Sequence, residues 1–220
     1  MKRYVSLEEI SDGKKYKAKD LARTDCLGCR DCSKCCRGMG ESIVLDPLDL
    51  FRLTGGLGRD IQTLMAEGSV GLNVVDGLVL PYLSMAGDEE KCSFLNEEGR
   101  CAIHDFRPGI CRLFPLGRYY EEEEFWYILQ TEECDRPRAK IEIGKWLDTP
   151  DLPRYETFVW EWHCLLKQAR LLQEENPEGE FAKNLNLFLL RTFFMEPYGR
   201  EDFFGQFRER VLRYREIVPE

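Results

Sequence analysis

The chain has 220 residues, ten of them cysteine; it is 43% hydrophobic and 32% charged and carries a formal charge of −9. That composition excludes global disorder and suits one sizeable domain or a domain with an appended subdomain. An acidic chain lacks the basic footprint that nucleic acid and anionic membranes require, so neither is expected as a partner. The amino-terminal MKRYVSLEEISDGKKYKAKD lacks the apolar core of a secretory signal, and the longest apolar runs are too short to cross a bilayer. A cytoplasmic protein is expected. Disulfides rarely persist in that compartment, so ten cysteines there point to metal or redox chemistry.

Residues 1–20 read as a charged, loosely ordered arm. In 43-IVLDPLDLFRL-53, Asp46 is placed to cap a helix and Pro47 to take its first position, where a missing N–H costs nothing. The loop 54-TGGLG-58 is expected to end that helix, and a short helix over 59–67 to close at Gly68. The segment 72-LNVVDGLVLPYL-83 predicts a hairpin turning at Asp76-Gly77. A tight loop is expected to join Cys92 to Cys101, and a second hairpin to span 116–130 with Glu121 to Glu124 as its solvated tip. Beyond Cys134, helical spacing at Tyr155, Phe158, Trp162, Leu165, Ala169 and Leu172 predicts a long amphipathic helix. Two more follow, one marked by Phe181, Leu185, Phe188 and Leu189, the other by Phe204, Phe207, Val211 and Tyr214. The fold class is α+β. A small metal-stapled cysteine-rich region over 21–140, built of short hairpins and helices, packs against a helical region over 148–220.

The chemistry lies in 24-TDCLGCRDCSKCCRG-38, where five cysteines run C-x2-C-x2-C-x2-C-C from Cys26 to Cys36. A C-x2-C turn lets both sulfurs reach one ion or two irons of one cluster. Three consecutive x2 spacings match the start of the bacterial ferredoxin run, but that run ends in x3-C-P and this one in x2-C-C, which argues against an ordinary ferredoxin. The adjacent Cys35 and Cys36 tend to point apart, toward different metal centres or different atoms of one cluster. Zinc and iron–sulfur both fit the count. Cys164 sits among apolar helical residues and reads as a plain core thiol. His104 stands at C-x2-H from Cys101 and reads as a hydrogen-bonding neighbour of the site; His163, on the predicted helix with Trp160 and Trp162, reads as structural. Arg107 and Arg112, with Arg118, flank Cys111. Guanidinium groups there offset thiolate charge and bind the cofactor, or line a pocket for an anionic substrate. Gly55, Gly56 and Gly58 form no phosphate loop, because no Lys-Ser/Thr follows them.

The blocks 29-CRDCSKCC-36, 92-CSFLNEEGRC-101 and 103-IHDFRPGICRLFPLGR-118, followed by Cys134, resemble the CxxCxxCC cysteine-cluster family, also called YkgJ-like and described as zinc- or iron-chelating. The resemblance covers about half of the chain. It implies that Cys29, Cys32, Cys35, Cys36, Cys92, Cys101, Cys111 and Cys134 are metal ligands, and it leaves Cys26 and the helical region unexplained. The cysteine region is also similar to that of flagellin lysine methylases. The reading is a metal-binding protein with a multi-cysteine centre. The ferredoxin-like spacing favours a 4Fe–4S iron–sulfur cluster over zinc, serving redox or methyl-transfer chemistry with a protein or small-molecule partner. A zinc-stapled binding module and a metal-handling protein are the alternatives.

Overall fold

The computed structural model describes residues 6–25, 32–131, 133–134, 139–176 and 179–218. In chain order the elements are α1 (Leu7–Ile10), β1 (Leu21–Asp25), α2 (Pro47–Leu57), α3 (Ile61–Ala66), β2 (Val70–Val75), β3 (Leu78–Leu83), β4 (Met85–Ala86), β5 (Lys91–Cys92), α4 (Gly109–Leu113), β6 (Leu116–Tyr120), β7 (Phe125–Leu129), β8 (Ala139–Glu142), α5 (Ile143–Leu147), α6 (Leu152–Glu175), α7 (Gly179–Leu190) and α8 (Phe203–Ile217). The strands form antiparallel pairs, β1 with β8, β2 with β3, β4 with β5 and β6 with β7, so the protein is α+β. No helix among the described residues is long and apolar enough to cross a membrane.

The local signals act as expected at most element ends. Asp46 caps α2 by accepting the Asp49 N–H at 2.8 Å, and Pro47 takes the first turn. A cap of this kind contributes about 1 kcal/mol. The β2–β3 hairpin turns at Asp76 and Gly77, both at positive φ, in register from Val75↔Leu78 to Val70↔Leu83. The β6–β7 hairpin carries Glu121 to Glu124 at its tip. Helix α2, however, does not stop at the glycines: it continues through Gly55 and Gly56 to Leu57, and Gly58 at φ +64° ends it. The Phe106 ring packs on Gly56, and that contact holds the glycine turn helical where local propensity alone would break it.

From Ser6 onward the amino-terminal arm is fastened along β7. Tyr16 and Tyr127 exchange backbone hydrogen bonds of 2.9 Å, and Asp12 donates to the Leu129 carbonyl at 3.0 Å. Lys17 lies 3.6 Å above the Trp126 ring and pairs with Glu124.

One apolar core joins the two halves of the chain. Leu45, just before α2, and Leu53, Leu64, Leu78 and Leu83 from α2, α3 and the first hairpin pack with Phe158, Trp162, Ala169, Leu189, Phe193 and Phe207 from the helical region. Phe158 and Phe207 meet edge-on at 4.7 Å, a contact that contributes about 0.5–1.5 kcal/mol beyond its buried area. Asn186 of α7 locks the hairpin to the helices, accepting the Val79 N–H at 2.7 Å and donating to the Gly77 carbonyl at 3.2 Å. A smaller cluster of Ala22, Leu113, Leu116, Tyr127, Ile143 and Leu147 joins β1, α4, β6, β7 and α5. Cys92, Cys101 and Cys111 pack against the larger core.

Candidate metal centre

Three chain segments bring thiols together. The first is the tight turn Lys34–Cys36, where the Cys36 N–H bonds the Ser33 carbonyl at 2.9 Å. Arg37 then bridges to Lys91, and the Gly38 N–H bonds the Glu90 carbonyl at 3.0 Å, which lays this turn beside β5 and Cys92. The second is the loop after Cys92. Leu95 pairs with Cys101, and the Ala102 N–H bonds the Phe94 carbonyl at 2.8 Å, so Cys101 returns toward Cys92 as expected. The third is α4, which presents Cys111.

Burial pushes the Cys92, Cys101 and Cys111 thiols above the usual range; the Asp49 charge pushes Cys111 further, and neighbouring thiols among Cys35, Cys92 and Cys101 add to all three. A hydrogen bond between Cys35 and Cys36 splits that pair: Cys35 is held down to about 7, with Arg107 contributing, and Cys36 is pushed up. The Phe94 N–H donates to the Cys92 sulfur and the Ile103 N–H to the Cys101 sulfur, each two residues downstream of its cysteine. N–H groups so aimed favour thiolate. Thiols this close cannot all ionise together unless a cation sits among them. The donor set therefore fits a thiophilic metal. Among the described residues, though, no three His, Cys, Asp or Glu side chains already close around one point. Cys26 and Cys29 lie outside the described residues, and half-buried Cys32 and Cys134 adjoin residues that do.

The arginines divide their roles. Arg107 sets its charge beside Cys35 and Cys101 and donates to His104 Nε2, which gives His104 the neighbouring role expected of it. Arg112 is buried, and its guanidinium donates to the carbonyls of Arg107 at 3.3 Å, Asp148 at 2.9 Å and Asp105. It braces the joint between α4 and the turn after α5. Arg118 lies one layer further in, donating to Tyr155 Oη at 2.6 Å. An open cleft of about 660 Å³ lies beside His104, between Asp105 and Arg112 on one side and Lys145, Asp148 and Thr149 on the other.

Cys164 is not a core thiol. It is exposed, because Trp162, Leu165, Leu166 and Ala169 take the buried face of α6 and position 164 falls on the opposite side. His163 stacks on Tyr120 and Trp160, a packing role. The residue that spacing arguments overlook is Asp49. It is 3% exposed, and its carboxylate accepts the Asp46 N–H at 3.1 Å and the Gly109 N–H at 2.6 Å. The D-P-x-D pattern signals the first bond, a capping box; nothing local signals the second.

Residues 28–135 match the model of the CxxCxxCC family, described as a putative zinc- or iron-chelating domain. No curated protein and no solved structure matches the chain.

Proposed function

Since residues 28–135 belong to the CxxCxxCC family, we propose that this is a cytoplasmic metal-binding protein whose centre is held by Cys29, Cys32, Cys35, Cys36, Cys92, Cys101, Cys111 and Cys134, and that the metal is an iron–sulfur cluster of the 4Fe–4S class. The observation that carries this reading is the approach of Cys35, Cys36, Cys92, Cys101 and Cys111 from three segments, each thiol within the field of others. The eight proposed ligands exceed the four that one tetrahedral zinc ion takes, so they serve either one multinuclear cluster or two separate ions. The C-x2-C spacing suits neighbouring irons of one cluster. When bound, such a cluster supplies redox chemistry or supports methyl transfer. The protein's own residues tune it. The Phe94 and Ile103 N–H groups donate to sulfur, and Arg107 offsets thiolate charge; both raise the ease of reduction. A small-molecule partner would bind in the cleft beside His104.

The experiment is anaerobic purification followed by iron, zinc and acid-labile sulfide analysis. Brown protein with iron and sulfide in comparable amounts is expected. Stoichiometric zinc without sulfide under the same conditions would overturn the cluster. It would favour the zinc-stapled module, which the paired N–H to sulfur bonds at Cys92 and Cys101 also suit.

A further inference from the structure

Helix α4 is a single turn, and its cap residue, Pro108, offers no side-chain acceptor. A helix start of that kind leaves its first N–H groups without partners. Here the Gly109 N–H is taken by Asp49 of α2, sixty residues away, at 2.6 Å in a buried contact. The other carboxylate oxygen holds the first turn of α2 through the Asp46 N–H at 3.1 Å. One side chain thus caps two helices at once. The fit at Gly109 is tight: a Cβ there would run into the Tyr155 hydroxyl and come within 3.5 Å of Asp49 Oδ1. Three residues earlier, Phe106 is pressed on Gly56 of the same helix. The segment leading to Cys111 is therefore clamped to α2 at both ends. Through Leu48, Leu50 and Leu53 the clamp belongs to the main apolar core.

We infer that Asp49 is a positioning residue of the metal centre: through the Gly109 N–H it sets where α4 presents Cys111, and so couples the thiol to the rigid core. The inference rests on the proposed metal centre. It assigns Asp49 no contact with the metal. Truncating Asp49 leaves the buried Gly109 N–H without a partner, so α4 shifts toward water, and the loss should fall on Cys111 more than on Cys92 or Cys101, which are held by their own loop.

The test is iodoacetamide labelling of the metal-loaded full-length protein, read cysteine by cysteine by peptide mass spectrometry. In the wild type Cys92, Cys101 and Cys111 should be protected, and stripping the metal with a chelator should expose all three. In Asp49→Ala, Cys111 should react about 10- to 100-fold faster while Cys92 and Cys101 stay protected. Asp49→Asn keeps an oxygen for Gly109 and should label like the wild type. Unchanged protection of Cys111 in Asp49→Ala would overturn the inference. So would release of all three thiols together, which marks general loosening, or equal release in Asp49→Asn and Asp49→Ala. If Asp49→Ala does not fold, Gly109→Ala presses on the same contact through Tyr155 and carries the same expectation and the same refutations. Failure of the metal reading looks different: the wild-type thiols would then react alike before and after the chelator, and the inference would fall with it.

Discussion

Gly56 and Phe106 touch so closely that a Cβ on Gly56 would stand 2.5 Å from the ring carbon Cγ. In an exposed helix interior, Gly→Ala usually stabilises by about 1 kcal/mol through backbone entropy. At this position the methyl group must displace an aromatic ring, and overpacking of that kind costs about 1–3 kcal/mol. The second effect is the larger. Gly56→Ala should lower the thermal midpoint, and Gly55→Ala, with open space around its Cβ position, should leave it unchanged or raise it. A stabilised Gly56→Ala would mean that Phe106 swings aside freely.

Ligand assignment separates Cys111 from Cys164. Cys111 is half-buried among other thiols, so Cys111→Ser should lose metal and soluble protein together. Cys164 is exposed on the outer face of α6, so Cys164→Ser should keep both. In the intact protein Cys164 should also be among the first thiols to accept an alkylating reagent. The contrary result, metal lost with Cys164→Ser and kept with Cys111→Ser, would refute the ligand set.

The acidic pair at the start of α2 gives stability a pH dependence. Burial and the neighbouring Asp49 charge push the Asp46 carboxyl up to about 8, and Asp49 is raised as well. The folded chain thus holds a proton that the unfolded chain releases near the ordinary carboxylate value of about 4. A raised acid contributes its stability fully below that value and loses it as pH climbs through the folded one. The wild type should therefore lose stability between about pH 4 and pH 8 relative to Asp46→Asn, which keeps an oxygen for the Asp49 N–H. Urea midpoints of the two proteins at pH 5, 6.5 and 8 give the difference, in which metal terms common to both cancel. Parallel curves would show that Asp46 does not titrate in this range.

Metal removal should loosen the protein unevenly. Residues 43–83 share one core with α6, α7 and α8, whereas the turn at 34–36 adds no buried residue to it and the loop 92–101 adds Phe94 alone. Hydrogen exchange on metal-free protein should show protection lost first over 32–42 and 85–101. Helices α2 and α6 should stay protected. Equal protection throughout would mean that the centre does not support the fold.

The sequence by itself determined what depends on neighbours along the chain. Asp46 and Pro47 mark a helix start, Asp76-Gly77 marks a turn, and the apolar spacing of Tyr155, Phe158, Trp162 and Leu165 marks a buried helix face. Each signal acts within one or two turns of backbone, where sterics and periodicity suffice. The density of cysteines from Cys26 to Cys36 likewise announces thiol chemistry without any fold. Only the tertiary structure decided the rest. Position 164 faces water because its apolar neighbours already occupy the core side of α6. Gly56 stays helical because a ring from fifty residues away lies on it. Strand β1 finds β8 across most of the cysteine region, and Asp49 finds Gly109. Such contacts pair groups whose separation along the chain carries no period. They form because a buried N–H or a void must be filled by whatever the fold brings near it, and that depends on the whole core.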